Sequence, residues 1–150
     1  MVRHCFALFR LKALFMSLAL VLGGLFFTGC ATSDYDEHKR RGIDRLNNMD
    51  YPAAVGEFRE AHRLNPNDAK MHCEFGNALE FQGKYEEAEK EYLEAPQLKP
   101  GDPAILRALA YFLDRQGRRK EARPFWEKAL KVEKDPINRA MIRQRLAEPR

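Results

Sequence analysis

The sequence predicts an all-α fold, a solenoid of three helical hairpins with a C-terminal capping helix, and two observations carry that prediction. Three stretches beginning at Tyr35, Ala69 and Pro103 superpose at a fixed step of 34 residues without a gap. Within that step residue size recurs in one order. Slot 8 holds Gly42, Gly76 and Ala110, slot 20 holds Ala54, Ala88 and Ala122, and slot 24 holds Phe58, Tyr92 and Trp126. Slot 27 holds Ala61, Ala95 and Ala129, and slot 30 holds Leu64, Leu98 and Val132. Small residues let two helix backbones approach, aromatics fill the gaps, and a hairpin of this kind buries its apolar face only when a neighbour stacks on it. The units are therefore residues 35–68, 69–102 and 103–136, followed by a capping helix over 137–150.

In the middle unit the first helix should run from about Lys70 to Gln82, because Met71, Phe75, Ala78 and Leu79 follow i, i+4, i+7, i+8 spacing. Gly83 then stops it. The second helix should follow Tyr85, turn Ala88, Tyr92 and Ala95 inward, leave its glutamates in water and end before Pro100. Asp50 is positioned to cap a helix whose first turn holds Pro52, where the missing N–H costs nothing. Pro96 should trim the end of its helix, and Pro124 should remove a hydrogen bond near the start of another. In the first unit Arg41 and Arg45 stand at slots that are apolar elsewhere, so its first helix should be frayed or exposed. In the capping helix, Ile137, Ala140 and Met141 should face inward and Arg139, Arg143 and Arg145 outward.

A period of 34 with this order of residues resembles the tetratricopeptide repeat, most closely over Glu74 to Pro100, and the resemblance extends from Tyr35 to about Pro136. It implies a binding groove lined by slots 2, 5, 9, 12 and 13 of each first helix. Its candidate peptide-binding residues are Lys39, Lys70, Asn77, Phe81, Arg107, Tyr111 and Arg115. Cations, an amide and aromatics of this kind suit an extended or helical peptide. The co-chaperone clamp for a C-terminal carboxylate is a poorer match. Lys39 fits its slot, but Ile43 and Glu74 stand where that clamp places Asn, and Ala104 and Ala108 where it places cations.

Residues 1–29 resemble a bacterial lipoprotein signal peptide. Arg3, Arg10 and Lys12 precede an apolar run from Ala13 to Phe27, which ends in Phe27-Thr28-Gly29-Cys30. The run has 15 residues, whereas a spanning helix needs about 20. The resemblance implies cleavage before Cys30 and acylation of Cys30 on sulfur and amine. Ala31 after it implies sorting to the outer membrane, on the periplasmic face. Residues 30–34 then form a tether of at most about 14 Å.

Removing the leader removes three of the 26 basic residues and none of the 22 acidic ones, so the remaining chain is nearly neutral. That removes the main support for nucleic-acid binding. Charge is instead polarised. Residues 30–102 carry 10 basic and 16 acidic side chains, and residues 103–150 carry 13 and 6. Arg115, Arg118, Arg119, Lys120 and Arg123 read first as a solvated face, and second as a surface for an acidic partner, lipid head groups or a cell-wall polymer.

No catalytic constellation is present in the pattern. Glu86, Glu87, Glu89 and Glu91 read as solvated charges with no nucleophile or base beside them. His38 and His72 share slot 4, a packing position, and the adjacent His72 and Cys73 diverge by about 100° on a helix, so no metal site is expected. Cys73 reads as a small packed thiol. The sequence thus predicts a non-enzymatic adaptor with no cofactor beyond the covalent lipid on Cys30, binding a peptide segment of an envelope protein. Small lipoproteins of this build resemble pilotins of pili and secretins. A scaffold for cell-wall enzymes is the alternative.

Overall fold

The computed structural model describes residues 34–148, which form seven helices: α1 over 34–47, α2 Tyr51–Leu64, α3 Ala69–Phe81, α4 Tyr85–Leu98, α5 Pro103–Arg115, α6 Arg119–Val132 and α7 Pro136–Ala147. Among the described residues no helix is long and apolar enough to cross a membrane. The leader, Cys30 and most of the tether lie outside the described residues.

Helices α1 to α6 pair as three hairpins. From α2 onward each helix packs on its neighbour in sequence, Gly42 of α1 sets α1 against Phe58 of α2, and successive hairpins are stacked through α2 on α3, α4 on α5 and α3 on α5. The core is built from the recurring slots: Ala54, Ala88 and Ala122 are fully buried, as are Phe58 and Tyr92, with Trp126 2% exposed. The small residues at slot 8 make this packing possible. A Cβ built on Gly42 would lie 2.8 Å from the Phe58 ring, and one on Gly76 would lie 3.1 Å from the Tyr92 ring.

Caps and turns follow the local sequence. Asp50, Asp68, Asp102 and Asp135 each accept backbone N–H groups at the start of α2, α3, α5 and α7. Slot 15 takes the left-handed conformation in every hairpin turn, with φ of 61° at Met49, 81° at Gly83 and 75° at Gly117. Met49 is the one without glycine's freedom. Pro96 and Pro124 both lie inside continuous helices. Pro124 is the sixth residue of α6, so it removes the bond to the Lys120 carbonyl without ending the helix.

For the first helix the exposed alternative holds and the frayed one does not, and the inward face expected for the last helix is corrected. Helix α1 is exposed at Arg41 and Arg45 but is not frayed over 34–47. Glu37 pairs with Arg40 and Arg41 at 2.8 Å each, and Arg40 also meets Asp44 at 3.1 Å, so i, i+3 and i, i+4 charges support a helix with few apolar contacts. In α7 the buried residue is Ile142, whereas Ile137 is 78% exposed and Ala140 is exposed too. Met141, Ile142 and Leu146 form the packed side. Arg139 and Arg145 are half-buried on that side rather than outward, and Arg139 donates from Nη1 to the Leu130 and Glu133 carbonyls at 2.8 and 2.7 Å. Those bonds satisfy acceptors near the end of α6 and fix the rotation of α7.

Candidate functional site

Helix α3 carries the part of the predicted groove that stays open. Lys70, Asn77 and Phe81 stand at i, i+7 and i+11, which brings them onto one stripe about 16 Å long. Lys70 has 76% of its side chain exposed and approaches Glu74 only at 3.8 Å. Phe81 is 58% exposed and stacks on Tyr51 with ring centroids 5.1 Å apart. The stack holds an apolar surface open to solvent, because each ring restricts the other. Asn77 spends its side-chain oxygen internally, accepting the Tyr92 hydroxyl at 2.5 Å and leaving its amide N–H groups for a ligand.

The remaining predicted groove residues are engaged within the chain. Lys39 donates to Asp68 at 2.6 Å. Arg107 pairs with the buried Glu133. Arg115 meets Glu80 through two bonds of 2.6 Å, in the forked geometry of a guanidinium on a carboxylate. Glu80 also accepts the Tyr92 hydroxyl at 3.2 Å and is 8% exposed, so this pair clamps the second hairpin to the third. Tyr111 lies under α7: its hydroxyl donates to Met141 Sδ at 2.7 Å, its ring meets Trp126 edge-on at 4.7 Å, and the Arg145 guanidinium sits 5.4 Å above it. Of the seven residues, Lys70, Asn77 and Phe81 therefore form an open stripe on α3, Lys39, Arg107 and Arg115 are held in ion pairs, and Tyr111 is covered by α7.

The basic end also differs from a bare solvated face. Arg118, Arg119, Lys120 and Arg123 line a cleft of about 530 Å³ with Trp126, Asp114 and the end of α7. Arg118 reaches Glu89 at 2.6 Å and Glu121 at 2.7 Å, and Arg119 reaches Glu148 at 2.7 Å. Asp114 accepts the Trp126 N–H at 2.9 Å through one oxygen, while its other oxygen is buried without a hydrogen-bond partner.

Glu89 and Glu91 are not free solvated charges, since Glu91 meets His72 Nδ1 at 2.7 Å. His38 and Glu57 repeat that pair at the same slots and the same 2.7 Å. Burial opposes a charge on His72, but Glu91 and the Pro66 carbonyl, 2.9 Å from Nε2, outweigh it and raise the imidazole pKa. His62 of α2 packs edge-on against His72, with centroids 5.1 Å apart. Donor atoms of His62, His72 and Glu91 all lie within 4.8 Å of one another. Sequence inspection weighed only the neighbours His72 and Cys73 and missed this convergence, which needs three helices; the signal was the shared spacing of His38–Glu57 and His72–Glu91. Cys73 is buried among Ala69, Ala95 and Ile105, and burial pushes its thiol pKa up to about 12.

Comparison with known proteins agrees with the helical-hairpin fold. Residues 70–135 match the model of YpiA-like, C-terminal tetratricopeptide repeats. No curated protein matches the sequence. Among solved structures, the chain is similar to the TPR domain of Arabidopsis OM64, with TM-score 0.68 and 20% identity over 77% of this chain and 96% of that one. It is also similar to SycD, the type III secretion translocator chaperone of Yersinia enterocolitica, with TM-score 0.70 and 15% identity over 81% and 93%. A third likeness is to the TPR2B domain of yeast Sti1 in its complex with a pHsp70 ligand, with TM-score 0.68 and 19% identity over 76% and 94%. Period, hairpin packing and these likenesses converge on one conclusion: the described residues have the fold of a tetratricopeptide-repeat solenoid.

Proposed function

We propose that this protein is a non-enzymatic adaptor that docks a peptide segment of another envelope protein on the open stripe of α3. The observation that carries this reading is the exposed Phe81–Tyr51 stack beside Asn77 and Lys70. A rigid aromatic pair supplies apolar anchorage at little entropic cost, an amide bonds peptide backbone, and the exposed Lys70, only loosely paired with Glu74, selects an acidic residue. The resemblance of residues 1–30 to a lipoprotein leader supports a lipid anchor on Cys30 and a place on the periplasmic face of the outer membrane. The pathway we assign is pilus or secretin assembly, on the resemblance of this anchor and these repeats to pilotins, with a scaffold for cell-wall enzymes as the alternative.

The test is a photo-crosslinking residue at Phe81 in the full chain, expressed in a diderm bacterium, together with intact mass and membrane fractionation. The expected result is a mass for cleavage before Cys30 with added acyl chains, outer-membrane recovery, and one crosslinked pilus or secretin protein that is lost in Lys70→Glu. An uncleaved chain in the inner membrane refutes the anchor. Absence of any Phe81-dependent crosslink refutes the groove.

A further inference from the structure

We infer that His62, His72 and Glu91 form a binding site for one divalent transition-metal ion of the zinc class, which ties the first hairpin to the second. The three residues come from α2, α3 and α4, and one donor atom of each falls within 4.8 Å of the others. Two imidazoles and a carboxylate are a ligand set for zinc, with the fourth position left to water or a partner side chain. The His72 ring is already oriented for that role. The Pro66 carbonyl only accepts, so the His72 Nε2 atom that lies 2.9 Å from it carries a hydrogen, and Nδ1 is turned toward Glu91 and the interior of the cluster. A carbonyl holding the far nitrogen is the usual outer partner of a metal-bound histidine.

His62 supplies an independent sign. Its Nδ1 is buried without a hydrogen-bond partner, an arrangement that costs free energy unless something fills it. Donor atoms around tetrahedral zinc stand about 3.3 Å apart, given metal–ligand distances of about 2.0 to 2.1 Å. The 2.7 Å contact between His72 and Glu91 must therefore open by about half an ångström, and the wider gap to His62 must close, both by side-chain rotation.

The repeat register separates this cluster from an ordinary packing pair. Slots 4 and 23, with slot 28 of the preceding unit, hold His72, Glu91 and His62 at the first joint. At the second joint the same slots hold Leu106, Phe125 and Pro96. All three positions change from donor to apolar together. The first unit has the His38–Glu57 pair, and among the described residues no third donor is grouped with it, so it serves as an internal control.

The test is titration of the full, metal-stripped chain with Co2+ and with Zn2+, read by visible absorption and by thermal melting. The expected result is one equivalent of Co2+ with tetrahedral d–d bands and no thiolate charge-transfer band, and a melting temperature raised by Zn2+. His62→Leu and Glu91→Gln should each weaken binding at least tenfold and abolish the thermal shift, while His38→Leu leaves both unchanged. Two variants on different helices guard against one that fails to fold. No saturable uptake overturns the site, as does uptake that survives both variants or that shows thiolate character.

Discussion

Tyr35 donates its hydroxyl to Asp68 across 2.6 Å and thereby fastens the first turn of α1 to the start of α3. The same carboxylate accepts from Lys39 at 2.6 Å, and its other oxygen caps α3 by accepting the N–H groups of Lys70 and Met71 at 2.9 and 3.2 Å. Burial opposes the charge on Asp68, but the bonds from Lys39 and Tyr35 outweigh it and hold the carboxyl well below the usual carboxylate range. A depressed folded-state pKa contributes stability that is present above the unfolded value, about pH 4, and is lost as pH falls below it. The chain should therefore weaken below about pH 4, and Asp68→Asn, which keeps the cap, should flatten that acid limb. Denaturant melts between about pH 2 and 7 decide it, since an unchanged slope in the variant assigns the acid sensitivity to other groups.

Three helical glycines form a graded series. Replacing Gly by Ala in a helix gains about 0.5 to 1 kcal/mol of backbone stability. Gly56 has nothing within 4 Å of its would-be Cβ, so Gly56→Ala should stabilise by that amount. At Gly76 the 3.1 Å approach to Tyr92 should cancel the gain. At Gly42 the 2.8 Å clash with Phe58 should exceed it, leaving a net loss of about 1 to 2 kcal/mol. Equilibrium unfolding of the three variants checks the order.

Met49→Gly should raise stability by about 0.5 to 1 kcal/mol, because the left-handed conformation costs a residue with a Cβ more than glycine's extra entropy costs. Met49 is 74% exposed, so little packing is lost. A lower melting temperature in the variant would show that its side chain contributes more than its backbone costs.

Arg115→Ala should destabilise the stack by about 2 kcal/mol, since it strands the nearly buried Glu80 carboxylate beside Tyr92. The double variant Arg115→Ala/Glu80→Gln should recover part of that loss. Hydrogen exchange should show the damage at the joint between α3 and α5, with α1 unaffected.

The helices and their core were legible because packing in a solenoid repeats with the chain. Phe58, Tyr92 and Trp126 announce the same buried slot three times, and Gly42 and Gly76 announce the close approach opposite them. The state of the groove was less legible. A slot number places Arg115 or Tyr111 on the inner wall, but whether it is free depends on Glu80, one repeat away, or on Met141, 30 residues downstream. The face of α7 failed for a related reason. Without an aligned copy to fix the register, the spacing of Ile137, Ala140 and Met141 pointed to a face one step away from the buried Ile142, and the bonds of Arg139 to the end of α6 settle the rotation.

The two joints of the stack are made of unlike materials. The first meets through imidazole and carboxylate at His62, His72 and Glu91, and the corresponding slots of the second hold Leu106, Phe125 and Pro96. Excising the middle hairpin would set His62 against a leucine and a phenylalanine, burying a polar ring with nothing to bond it. The hairpins are alike in shape yet not interchangeable. Their order along the chain is enforced by what each surface will accept, so this solenoid cannot grow or shrink by copying a unit without rewriting the contact it makes.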